Sequence, residues 1–193
     1  MSPRPRLDHD QVLATAEAIV DRDGWRALSM TALANELGVK APSLYNHVRD
    51  LETLRSELQI RALRELGARL NRKAMGRTGE TAMRALAGAF RRFAQEHPGR
   101  YDLAMQEPVD ADGFAAASLD AGAALHAVIR SYGIEDTTLE LQLSAFAALH
   151  GVIVLEHANF FPGAVDTDQI FEHVLDVILT MFAAEAPGAA RAG

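Results

Sequence analysis

From Val12 onward the apolar residues of this chain recur at helical spacing, and glycine or proline closes each apolar run, so the backbone is cut into helices joined by turns. No strand-like alternation persists, and the fold class predicted is all-α. Asp8 stands as an N-cap with Gln11 at the capping-box position, and Leu7 and Val12 hold the two places of a hydrophobic staple. The buried stripe of that first helix is then Val12, Leu13, Ala16, Ile19 and Val20, with Gly24 as its stop. A second, short helix is expected after Ser29 and up to Leu37, where Gly38 supplies a left-handed turn residue. The chain restarts at Pro42, ends that helix near Val48, and begins a long fourth helix after the cap Asp50. Five more helices follow, from about Thr81 to Glu96, Pro98 to Gln106, Phe114 to Tyr132, Thr137 to Ala158 and Asp168 to Ala184, about nine in all.

The 193 residues, 49 % of them hydrophobic, are enough to bury a core. There is no cysteine, which excludes disulfides, thiolate metal sites and cysteine nucleophiles and fits a reducing, cytoplasmic setting. The N-terminal "MSPRPRLDHD" has no apolar stretch behind it, and no window is long and apolar enough to span a membrane, so a cytoplasmic protein is expected. Net charge is −7, but unevenly spread: residues 1–73 hold 12 Lys+Arg against 10 Asp+Glu, residues 74–193 only 7 against 16. Any polyanion has to be met locally, by the N-terminal part.

That part contains "LGVKAPSLYNHVR", residues 37–49. Two helices joined by a three- or four-residue turn with a glycine, the first bringing a small residue (Ala34) to the contact, form a helix-turn-helix. Leu44 and Val48 tie the second helix to the core. What remains exposed is Lys40, Ala41, Pro42, Ser43, Tyr45, Asn46 and His47, nearly all able to hydrogen-bond or to pack on a thymine methyl. A DNA major groove admits one helix and meets only its first turns, so a restart of about seven residues suffices. Ala41 has no capping side chain, which leaves backbone N–H groups for a phosphate. Thr31, Ser43, Tyr45, His47 and Arg49 are expected on phosphates, with Lys40, Ala41, Pro42, Asn46 and part of Tyr45 nearer the bases. The other reading of Tyr45 is a core aromatic.

The segment "SMTALANELGVKAPSLYNHVRDLETL", residues 29–54, resembles the DNA-binding region of the tetracycline-repressor (TetR) family of bacterial transcriptional regulators, including its Leu44, Tyr45, His47, Val48 core. The likeness covers about residues 8–56. It implies nine or so helices per subunit, a two-fold dimer, a small DNA-binding head and a larger body whose ligand releases DNA. Family DNA contacts carry over onto Thr31, Ala41, Pro42, Ser43, Tyr45 and His47, with Arg49 beside them. The pattern departs at Leu51, where many relatives have a phosphate-binding lysine, so no contact is transferred there. The domains drawn are a basic arm (1–7), the helix-turn-helix head (8–54), a helical effector-binding and dimerisation body (55–185) and a tail (186–193).

In the body, "HPGRY" and "LHGVIVLE" resemble a subgroup of the family without naming a ligand. Phe90, Phe93, His97, Tyr101, Met105, His126 and His150 are the candidate contacts for a moderately apolar effector. His150 and His157 are seven residues apart, about two helical turns and too far to share one ion, so neither metal nor cofactor is expected. The last two helices, about 137–158 and 168–184, carry wide apolar faces that include Leu139, Leu143, Phe146, His150, Val154, Ile170, Val174, Val177, Ile178, Met181 and Phe182, and are expected to form a homodimer interface. No paired carboxylates with a positioned partner, nucleophile elbow, phosphate loop or dinucleotide fingerprint is present, so no catalytic residue is expected. The expectation is a repressor of a double-stranded DNA operator; the alternative is a small-molecule binding protein of the same fold without DNA-binding activity.

Overall fold

The computed structural model describes residues 7–135 and 137–187, so the expected arm and tail lie almost wholly outside the described residues. Among the described residues there are nine α-helices and no strand: α1 (His9–Asp23), α2 (Met30–Leu37), α3 (Ala41–Leu44), α4 (Leu51–Ala74), α5 (Gly79–Glu96), α6 (Pro98–Ala104), α7 (Ala111–Ser131), α8 (Glu140–His157) and α9 (Thr167–Glu185). None of these helices is long and apolar enough to cross a membrane.

The chain divides into two compact units. One runs up to Arg64 and takes back His97–Ala117; the other is Glu65–Glu96 with the residues from Ser118 onward. The first unit is therefore larger than a head ending at residue 54, because the first half of α4 and all of α6 belong to it.

In the first unit the local signals act as their chemistry requires. The Asp8 carboxylate accepts from the Gln11 backbone N–H at 2.7 Å, while the Gln11 side chain accepts from the Asp8 N–H, closing the capping box. Val12, Leu13, Ala16, Ile19 and Val20 are all buried, and Leu7 packs against that core. Ser29 caps α2, and Gly38 ends it at φ 65°. Asp50 caps α4 through a 2.7 Å bond from the Thr53 N–H.

That bond first, then the Thr53 hydroxyl and Arg49, hold the Asp50 carboxyl down from its ordinary 3.8 to about 2. A depressed carboxyl stabilises the folded state above its unfolded value and loses that contribution as pH falls through the folded one. Asp50→Asn, which keeps a cap but cannot ionise, is expected to lie below wild type in stability at pH 6 and to converge on it between about pH 4 and 2, as measured by urea unfolding.

Four of the helix bounds that differ from the sequence expectation have a visible physical cause. α3 is a single α-turn, and the chain continues to Val48 through tight turns in which the His47 and Val48 N–H groups both donate to Leu44 O. α7 starts at Ala111 because the Asp110 carboxylate accepts from Gly113 N at 3.0 Å. α8 waits until Glu140, since Leu139 before it adopts a left-handed φ of 61°. α6 stops at Ala104, where the buried Gln59 amide donates to Leu103 O and Gln106 O at 3.2 and 2.8 Å.

The second unit packs α5 against α8 and α9, with α8 and α9 paired along their length. Gly67 of α4 comes so close to α7 that a Cβ there would lie 2.8 Å from the Ala121 Cα. Arg91 of α5 pairs with Glu156 of α8 and with Asp168 of α9, and its guanidinium lies over the Phe171 ring. Arg84 reaches Glu172 and Asp176 of α9 at 2.9 and 2.7 Å.

Candidate nucleic-acid interface and effector region

The restart at α3 sorts its side chains cleanly between core and solvent. Leu44 and Val48 are 0 % and 3 % exposed, and Leu33 and Ala34 of α2 lie in the same core. Thr31, Lys40, Pro42, Ser43, Asn46 and Arg49 are exposed, and Ala41 and His47 are half-buried. Tyr45 is 56 % exposed, so it is not a core aromatic. Nothing caps α3 with a side chain: Lys40 precedes it in extended conformation and Pro42 stands in its first turn.

Two contacts that the sequence reading missed hold this segment. The His9 Nδ1–H donates to His47 O at 2.9 Å, and the His9 Nε2 meets Glu57 of α4 at 2.8 Å. One ring thus joins the start of α1, the end of the reading segment and α4. No spacing rule pairs residues 38 and 48 positions apart. Arg49 pairs with its neighbour Asp50 at 2.9 Å while its side chain stays 80 % exposed, which leaves the guanidinium's outer edge in water.

The seven candidate effector residues fall into two groups. Phe90 and Phe93 are buried in the second unit, and His126 and His150 are half-buried there. Phe90 meets Phe146 edge-on at 5.9 Å, and His150 stacks on Phe146 at 5.6 Å. Phe146 is the link, and its i,i+4 relation to His150 was the signal available. His97, Tyr101 and Met105 belong instead to the first unit. There the Arg100 N–H and Nε both donate to the Asp21 carboxylate of α1, at 3.1 and 2.7 Å, and the His97 ring nitrogen lies 3.1 Å from the same carboxylate. Tyr101 is fully buried, and burial, with the Asp102 charge second, pushes its phenol well above the ordinary range.

A cavity of about 310 Å³ lies where Arg91, Glu156, His157, Asn159, Phe161 and Thr167 meet, lined by none of the seven. Among the described residues no group of three or more His, Cys, Asp or Glu is placed to hold a metal ion.

α8 and α9 each bury one face and leave another in water. Ala145, Leu149, Val152 and Ile153 of α8 and Phe171, Leu175, Ile178 and Phe182 of α9 are core. Ile178 and Phe182 are therefore unavailable to a partner, while Phe146 is engaged with Phe90 of α5 and His150 with Phe146. The uncovered apolar surface is made by Leu143 and Val177, 57 % and 68 % exposed, with Val154 and Leu155. Gly151 has open space where its side chain would be.

Known proteins match both parts of this chain. A family model described as the tetracyclin repressor-like C-terminal domain matches residues 83–178. The HTH-type transcriptional regulator Rv0681 of Mycobacterium tuberculosis, itself uncharacterized, is 37 % identical over 181 residues, 92 % of this chain and 81 % of that one. A protein of unknown function from a Rhodococcus species shares the fold with a TM-score of 0.78 at 24 % identity, over 95 % of this chain and 100 % of that one. PfmR of Thermus thermophilus, a TetR family regulator, superposes with a TM-score of 0.66 at 21 % identity, over 89 % and 98 %. With the regulator's likeness running through head and body alike, the chain belongs to the tetracycline-repressor family of helix-turn-helix transcriptional regulators, which are not enzymes.

Proposed function

We propose that this regulator is a repressor that binds an inverted-repeat operator as a dimer and lets go of it when a small, moderately apolar effector binds the body. The observation that carries the reading is Tyr45, held out in water beside Lys40, Pro42, Ser43 and Asn46 on a segment whose Leu44 and Val48 are buried. An aromatic kept exposed on an anchored turn is explained by a surface that covers it, and DNA offers phosphates and base edges at that scale. Lys40, Ala41, Pro42 and Asn46 would lie nearest the bases. Thr31, Ser43, Tyr45, His47 and Arg49 would fix register on phosphates. Such a protein works in the cytoplasm, where bacterial DNA is.

One short reading segment covers only a few base pairs, so two are needed. The exposed faces of α8 and α9 are the natural seam for a second copy, since Leu143, Val154, Leu155 and Val177 are large apolar side chains left exposed on these two helices among the described residues. The double variant Leu143→Asp, Val177→Asp is expected to sediment as a folded monomer at about 10 μM, where wild type sediments as a dimer. A monomeric wild type would contradict the dimer.

For the effector, the cluster of Phe90, Phe146 and His150, with Phe93 and His126 in the same unit, supplies aromatic surface and a few polar groups. His97, Tyr101 and Met105 enter through α6, which follows α5 after one residue and is fastened to α1 by Asp21. A shift at the end of α5 would reach the first unit through that fastening. Effector and operator then oppose each other with one coupling energy felt at both sites. Compounds that raise the melting temperature of the purified protein should weaken its retention of DNA. A compound that stabilises the fold by several degrees and leaves DNA retention unchanged contradicts release by that compound.

A further inference from the structure

Between the C-terminal half of α4 and the outward side of α5 the second unit carries a groove of about 570 Å³. Its floor is Ala85, Gly88 and Ala89, and a Cβ on Gly88 would meet nothing within 4 Å. Its walls bear Arg69, Arg72, Lys73, Arg77, Arg84 and Arg92 against two carboxylates, Glu65 and Glu96. Both carboxylates are taken by Arg69, at 2.7 and 2.6 Å, and Arg84 is turned to Glu80, Glu172 and Asp176. The Arg77 guanidinium donates to Lys73 O at 2.9 Å, a carbonyl that leaves its charge unbalanced. Arg72, Lys73 and Arg92 are exposed and make no ion pair among the described residues.

Cations in the last turn of a helix offset its dipole, and that accounts for Arg72 and Lys73. It does not account for Arg77 beyond the helix or for Arg92 on α5. These charges also stand in the acidic part of the chain, where residues 74–193 hold only 7 Lys+Arg in all and three of them line this one concavity. Like charges gathered around a hollow repel one another unless an anion lies among them.

We propose that the groove binds a small molecule bearing two or more anionic groups, phosphates or carboxylates. The volume is that of a drug-sized ligand. Glu65 and Glu96 argue against a nucleic-acid strand, since a continuous polyanion running the length of the groove would pass both. A short ligand seats its anionic groups toward Lys73 and Arg77 and its less charged part toward the Arg69 pairs. This site is distinct from the aromatic cluster of Phe90, Phe146 and His150 and does not rest on the operator reading. α4 begins directly after the reading segment and ends in this groove, so its occupant bears on the helix that follows the head.

The test is titration calorimetry of the full chain with inorganic triphosphate and, separately, with citrate, at about 50 and 300 mM salt. At least one probe is expected to bind, more weakly at high salt, and which of them binds separates phosphate from carboxylate chemistry. Arg72→Gln with Arg92→Gln, both on the surface, should weaken it about tenfold or more with the melting temperature unchanged. Lys40→Gln with Arg49→Gln should leave it within about twofold, since those cations lie in the head. No heat from either probe, binding that survives the groove substitutions and is lost in the head variant, or DNA retention that falls as far in the groove variant as in the head variant would overturn the proposal.

Discussion

Gly99→Val is expected to lower the melting temperature by about 10–20 °C, a larger stability effect than any other substitution named for this chain. A Cβ at Gly99 would lie 1.8 Å from Val20 O, 2.5 Å from Val20 C and 3.1 Å from the Asp21 Cα. All three are backbone atoms of α1, so no side chain can swing away. α6 must lift, and lifting it breaks the bonds by which Arg100 and His97 hold the Asp21 carboxylate. Overpacking of this kind costs about 1–3 kcal/mol or more, and each lost bond to a charged group adds about 1.5–3. The combined loss is a large fraction of what a domain of this size has. Gly88→Ala is the control: its added carbon meets nothing, and alanine in a helix interior is favoured over glycine by about 1 kcal/mol. If Gly99→Val melts with wild type, the close seat of α6 on α1 is not a feature of the folded protein.

Lys40→Ala with Tyr45→Ala is expected to cost about a hundredfold or more in affinity for the preferred DNA, without loss of the fold. Each side chain reaching a base edge or phosphate contributes about 1–3 kcal/mol, and 1.4 kcal/mol is about tenfold. Both residues are exposed, so their removal leaves the core of Leu33, Leu44 and Val48 intact. The two parts separate by salt. Losing the Lys40 cation should also flatten the dependence of log affinity on log salt by up to about one unit, whereas losing the neutral Tyr45 should leave that slope in place. A Tyr45→Ala protein that melts several degrees lower yet binds DNA as before would return Tyr45 to a structural role.

What was legible in the sequence was whatever depends on neighbours a few residues apart. Asp8 with Gln11, Ser29 with Ala32 and Asp50 with Thr53 are caps closed within three positions, and the stripe of α1 follows from its period alone. The sorting of the reading segment was legible for the same reason, because burying Leu44 and Val48 on one side commits Lys40, Pro42, Ser43 and Asn46 to the other. What was not legible depends on which helices meet. The expected effector residues read as one cluster along the sequence, but α6 folds back on α1 through Asp21, taking His97 and Tyr101 with it and leaving Phe90 and His150 in the second unit. Gln59 closing α6 across 44 residues and His9 tying down His47 across 38 are of the same kind. The left-handed Leu139 that delays α8 has no glycine or asparagine to announce it. In α9 the run VLDVILTMF, residues 174–182, told of two apolar faces; only packing decided that Ile178 and Phe182 go inward and Val177 outward.

Two copies of this chain, on the function proposed, present their reading segments to DNA together, and selection of bound duplexes from a random pool by the purified chain tests this. The expected result is recovery of an inverted repeat whose half-sites are centred about one helical turn apart, roughly 34–36 Å, or a multiple of that spacing, and whose enrichment disappears in the Lys40→Ala, Tyr45→Ala protein. No enriched sequence, a single unrepeated site, or a repeat that the double variant recovers equally well would contradict it.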